Sequence, residues 1–137
     1  MGRQEMKITV DTNVLIRAVV RDDEKQAMAA DKILKSAEII AVTLPCLCEF
    51  VWVLRRLYEF DRADIAAAIR ALADTANVAL NRPAVEAGLA LLNAGGDFAD
   101  GLIAYEGNWL GAETFVSFDK KAVSLLAKQR YETRLLY

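Results

Sequence analysis

No histidine occurs in these 137 residues, and that absence excludes a wide range of chemistry. Ser/His/Asp and Cys/His catalysis, imidazole general bases and histidine metal sites all fall away. Any bound metal must be held by oxygen ligands, which suits hard ions such as Mg²⁺ or Mn²⁺. Cysteine is nearly as scarce. The only two, Cys46 and Cys48, stand two residues apart on a predicted helix, where such neighbours point in different directions. They fall short of the four ligands of a structural zinc and are read as small buried residues. With only 2 prolines and 7 glycines, the chain shows neither a flexible linker nor a disordered tail. Its apolar runs stop short of membrane-spanning length, and the opening MGRQEMKITV lacks the apolar stretch of a signal peptide. A soluble, cytoplasmic protein is expected, folded as a single domain over residues 1–137. An excess of basic charge is missing too. Lys and Arg total 17 against 19 Asp and Glu, a net charge of -2, so nothing global signals a nucleic-acid partner. A cluster of metal-binding carboxylates lowers the net charge without removing local basic patches.

Hydrophobic residues make up 55% of the chain, and their spacing alternates between strand and helix patterns. Short β-prone runs are expected at Met6–Val10, Ile39–Thr43, Asn77–Leu80, Thr114–Phe118 and Thr133–Leu136. Helices are predicted from about Val14, over Glu24–Ser36, from Pro45 to Tyr58, from Asp61 to about Thr75, over Pro83–Asn93, from Phe98 to about Trp109, and over Lys120–Lys128. Alternation of this kind predicts an α/β fold in three layers, a parallel sheet covered on both faces. In such sheets ligands bind beyond the carboxyl ends of the strands, so the acids that fall there are the candidates.

Asp11 and Asp119 each follow a β-prone run, KITV and TFVSF. Each alone also suits an N-cap, a very common use of Asp. Glu49 is the only charged residue from Ile39 through Leu54, in a stretch expected to be buried, where an ionised carboxylate costs several kcal/mol or more unless paired or metal-bound. Asp97 and Asp100, three apart in GGDFADGLIA, share one face of a predicted helix start, with favourable placement in the helix dipole as the simpler account. The run that follows Asp100 favours it over Asp97 as the inward-pointing acid, and Gly101 leaves room for a close approach beside it. Several carboxylates converging at one edge repel one another unless a divalent cation intervenes. Phosphodiester hydrolysis by bound metal needs neither histidine nor a protein nucleophile.

Taken in order, DTNVLIR from Asp11 to Arg17, the isolated acid of LPCLCEFVWVL, DFADGLIA from Asp97 to Ala104, and VSFDKKA from Val116 to Ala122 resemble the four acidic motifs of PIN-domain ribonucleases of the VapC type. The similarity spans nearly the whole chain. It implies a three-layer α/β/α PIN-like fold with a central parallel sheet. It further implies that Asp11, Glu49, Asp100 and Asp119 bind Mg²⁺ or Mn²⁺ and position the attacking water, with Asp97 as an additional metal-binding acid. Thr12, Asn13 and Ser117 match supporting polar positions. Gly101 and Ser117 depart mildly from what is common in relatives, and no acid is missing. The resemblance also implies RNA as substrate, a homodimer, and inhibition by a small cognate antitoxin.

Two other classes that place an Asp after the first strand fit less well. A phosphatase of the haloacid dehalogenase type needs a second Asp where Asn13 stands, and a response-regulator receiver domain needs an acidic pair there. The remaining alternative is a catalytically silent PIN-like module that binds RNA or a partner. Arg17, Arg55, Arg56, Lys120 and Lys121 are candidate phosphate contacts, with an ordinary solvated surface as the alternative and the favoured account of Arg56 and Lys121. Trp52, Tyr58 and Trp109 are candidate base-stacking platforms, with core or dimer packing favoured for them.

Overall fold

The computed structural model describes residues 6–137. They fall into two compact units, the first ending at Asn81 and the second running from Arg82 to Tyr137.

The first unit opens with β1 (Lys7–Thr9), followed by α1 (Thr12–Val20), α2 (Glu24–Ser36), β2 (Ile39–Ala41), α3 (Leu44–Arg56), α4 (Arg62–Ala73) and β3 (Val78–Ala79). Its three strands pair in parallel in the order β1-β2-β3, with Ile8 opposite Ile40 and Ile40 opposite Val78. Each of its helices starts where a short polar side chain takes up an orphan amide. Asp11 receives the Val14 N–H, Asp23 that of Gln26, Thr43 that of Cys46 and Asp61 that of Asp64. Pro45 sits in the first turn of α3, where its missing N–H leaves no bond unmade. Behind it Cys46, Leu47, Phe50, Val51 and Leu54 are buried, the three- and four-residue spacing of one helix face. Burying a Leu or Phe side chain of this face stabilises the fold by about 1.5–3 kcal/mol. α1 packs on α2 and α3, and Arg21, left-handed at φ 59, ties the α1 end to Asp31 of α2 through bonds of 3.0 and 2.8 Å.

The second unit contains α5 (Arg82–Asn93), α6 (Phe98–Trp109), β4 (Thr114–Ser117), α7 (Lys120–Lys128) and β5 (Glu132–Leu135). β4 and β5 are also parallel, with Val116 opposite Arg134 and Ser117 opposite Leu135. Hydrogen bonding therefore divides the strands of the described residues between a three-stranded and a two-stranded sheet, every pairing parallel as the alternation of elements requires. α5 and α6 approach closely because glycine lies on each. A Cβ on Gly101 would stand 2.5 Å from the Ala87 carbonyl oxygen, and one on Gly88 2.7 Å from the ring of fully buried Phe98. The space beside Gly101 is thus filled by the neighbouring helix. Leu91, Ala104 and Leu126 form a core against which Phe115, Leu125 and Tyr131 pack.

Candidate active site

In the first unit the acids are placed by hydrogen bonds. Asp11 lies beyond the carboxyl end of β1, exposed, and its Oδ1 accepts the Val14 N–H at 3.3 Å. The cap uses one oxygen of the carboxylate. Thr12, the next residue, is the one buried polar side chain among the described residues. Its hydroxyl donates a short bond to Oε1 of Glu49 on α3 and lies 3.9 Å from Cys46 Sγ. Glu49 itself is exposed, contrary to the buried setting its sequence neighbours suggest. Cys46, Phe50 and Leu54 face the core while Glu49 lies off that face, so the surrounding apolar residues cover the opposite side of the helix. Desolvation therefore does not hold this carboxylate; the Thr12 hydroxyl does. Burial pushes the Cys46 thiol up, the Thr12 hydrogen bond lowers it less, and the charges of Asp11 and Glu49 add to the rise. Cys46 is thereby kept a neutral thiol, unsuited to attack.

In the second unit Asp97 and Asp119 are likewise placed by hydrogen bonds, and Asp100 by packing. Asp97 caps α6, accepting the Ala99 N–H at 3.0 Å, and is exposed. Asp100, in the first turn of α6, is half-buried. Its carboxyl is held above the usual range, first by burial, then by the negative charges of Asp97 and Asp119. Asp119 lies at the carboxyl end of β4 and caps α7, its Oδ1 accepting from Lys121 N at 2.9 Å and Ala122 N at 3.2 Å. Ser117 Oγ accepts the Asp119 N–H at 2.9 Å, which fixes the turn that presents the acid.

Three of the sequence-predicted acids, Asp11, Asp97 and Asp119, thus serve as helix caps, each through Oδ1 alone. Capping leaves the second oxygen of each for another ligand. Among the described residues, no group of three or more acids or cysteines is gathered closely enough to hold a metal ion. The donor set nonetheless suits a hard divalent cation, being all oxygen, and Asp100 bears the repulsion that such a cation relieves. Asn13 is exposed beside Arg17 in a groove between α1 and α2. Arg17 is committed elsewhere, since it pairs with Asp22 at 3.0 Å and donates to Gln26 at 2.6 Å. Tyr58 donates its hydroxyl to the same Asp22 at 3.0 Å, and this bond, more than Arg17, holds the Asp22 carboxyl below its usual range. Trp52 and Trp109 are 55% and 79% exposed, so neither serves as core of this chain.

The result is an α/β protein in which Asp11 and Asp119 stand at strand ends, Asp97 and Asp100 at a helix start and Glu49 within α3. The family model of the PIN domain matches residues 8–127, and the chain belongs to the PIN domain family. Its fold is accordingly the three-layer α/β/α class expected from the sequence, with which the parallel strands and seven helices among the described residues agree. PIN domains are generally nucleases, usually ribonucleases that use divalent metal ions. No curated protein matches the chain.

Proposed function

We propose that this protein is a Mg²⁺- or Mn²⁺-dependent endoribonuclease of the VapC type, the toxin of a toxin–antitoxin pair, acting as one domain in the cytoplasm. The observation that carries the proposal is the PIN domain match over residues 8–127, and half-buried Asp100, in the first turn of α6 near Asp97 and Asp119, supports it. A bound cation would relieve the repulsion that Asp100 meets from its two neighbouring carboxylates. Asp11, Glu49, Asp100 and Asp119 are the residues that would hold the cation, with Asp97 as an additional metal-binding acid. When bound, the cation supplies Lewis acidity toward the phosphodiester and lowers the pKa of water.

The chain's own residues do the rest. Thr12 orients Glu49 through its hydroxyl. Ser117 fixes the Asp119 backbone, and Asn13, exposed next to the capping Asp11, offers an amide to the substrate. Exposed Trp109 and Leu110, 79% and 80% accessible, supply apolar surface for a homodimer and for the small antitoxin. Among the described residues no helix is long and apolar enough to cross a membrane.

The capping bonds of Asp11, Asp97 and Asp119 favour a second reading, a module that binds RNA without cutting, because each of these acids already has a structural use. Cleavage decides between the two. Purified chain is expected to cut single-stranded RNA in Mg²⁺ or Mn²⁺, to stop in EDTA and to resume when metal is restored; cleavage indifferent to EDTA removes the metal mechanism, and binding without cleavage establishes the silent module. Growth arrest on expression, relieved by the small protein encoded beside this chain, is the expected sign of the toxin role.

A further inference from the structure

β4 ends at Ser117, one residue before the sequence pattern suggests, and Phe118 lies in a bend between that strand and Asp119. Its side chain is 73% exposed, whereas Phe50 and Phe98 are 1% and 0% exposed. The bend is pinned on both sides. Ser117 receives the Leu136 N–H on its carbonyl at 2.8 Å and the Asp119 N–H on its hydroxyl at 2.9 Å. Asp119 is anchored in turn by the two amides of α7. An exposed aromatic ring is therefore held on a rigid turn, directly beside an acid of the candidate site.

Charge is arranged around that ring. Val116, 48% exposed, presents a second apolar side chain two residues before Phe118, and the register sets Arg134 beside Val116. Lys120 and Lys121 follow Asp119 and are exposed. Arg134, Lys120 and Lys121 take part in no ion pair among the described residues. Acids sit at the other end of the strand pair, Glu113 before β4 and Glu132 opposite Thr114. Three cations, Lys120, Lys121 and Arg134, thus lie close to Phe118 in chain or register, beside the negative charge of Asp119, and offer contacts for phosphates. A ring flanked by unpaired cations matches the alternating bases and phosphates of a single strand, whereas a purely apolar partner would leave those cations desolvated.

We propose that Phe118 is a specificity-determining residue on which one unpaired RNA base stacks next to the bond that is cut, while Lys120, Lys121 and Arg134 hold the flanking phosphates. The inference rests on the ribonuclease reading above. Its test uses the full chain carrying Asp100→Asn, expected to bind RNA without cutting it, and single-stranded oligoribonucleotides with 2-aminopurine or an abasic site at successive positions. Phe118→Ala and Phe118→Leu are expected to weaken binding about five- to hundredfold, while Phe118→Tyr and Phe118→Trp keep it. Quenching of 2-aminopurine at one position should vanish with Phe118→Ala, and an abasic site at that position should erase the difference between variants. Binding by the Phe118→Leu variant as tight as that of the parent overturns stacking, as does loss that is the same wherever the abasic site lies. A change in self-association with unaltered RNA affinity assigns the ring to a protein interface and also overturns it. Cleavage undiminished by Phe118→Ala in the otherwise native chain defeats this inference and leaves the nuclease standing. Position-specific stacking in a native chain that never cuts RNA defeats the nuclease and leaves the stacking residue. RNA that binds neither protein overturns both.

Discussion

Both units hold capping acids by hydrogen bonds, and they differ in one carboxylate, Asp100 of the second. In the first, Asp11 caps α1 and Glu49 receives the Thr12 hydroxyl, so each carboxylate has a donor and neither depends on burial. In the second, α5 and α6 close on one another through Gly88 and Gly101, and half-buried Asp100 faces only further negative charge from Asp97 and Asp119. Hydrogen-bonded acids stabilise the fold that carries them. An acid placed by packing among like charges costs stability until something positive arrives, and the second unit is where that cost is concentrated.

The largest effect should come from neutralising either kind of acid. Asp11→Asn, from the first unit, and Asp100→Asn, from the second, are each expected to bring RNA cleavage to background and to end growth inhibition, without lowering the apo melting temperature. Asn caps a helix about as well as Asp, so the Asp11 variant stays folded; the Asp100 variant loses a repulsion. Wild-type cleavage by both variants would reject the site. If the Asp100 variant loses stability by about 3–5 kcal/mol, that acid is instead the partner of a buried ion pair.

Packing of the second unit is the next strongest lever. Gly101→Ala pushes a methyl group against a backbone carbonyl 2.5 Å away, which no side-chain rotation relieves, and should cost about 1–3 kcal/mol in denaturant unfolding. Gly107→Ala, on the same helix with nothing within 4 Å of the added Cβ, should stabilise by about 0.5–1 kcal/mol. Equal behaviour of the two would break the contrast between packed and open faces of α6.

A smaller effect follows from pH. Because the Asp100 carboxyl is raised in the folded chain, the native state binds this proton more tightly than the unfolded state. Stability from this group is greatest below the ordinary carboxyl range and falls as pH rises through the native pKa. Apo Asp100→Asn should therefore melt higher than wild type at neutral pH, and the gap should close on acidification. A gap independent of pH would mean that charge is not the cause. Smallest of all is Asp61→Asn. Asp61 caps α4 through the Asp64 N–H at 2.8 Å, a bond Asn makes equally, so melting temperature and cleavage should both stay within error of wild type.

Helix starts were legible in the sequence because capping is settled within three residues. Asp11, Asp23, Asp61, Asp97 and Asp119 each precede the helix they cap, and the strands between them follow from short β-branched runs. The four acidic motifs were legible for the same reason, each being a local pattern in a fixed order. What the sequence by itself determined, then, is the order of elements, the α/β class and the identity of the candidate acids. Only the tertiary structure decided how those acids are held. Glu49 meets Thr12 across 37 positions of chain, and its exposure depends on which face of α3 turns inward. Gly101 reads as an opening until the Ala87 carbonyl is seen to occupy it. Phe118 reads as the end of a strand until the backbone bends and leaves the ring in solvent. Local spacing says which residues share a face, but burial, repulsion and hydrogen bonding between distant segments depend on what packs against that face.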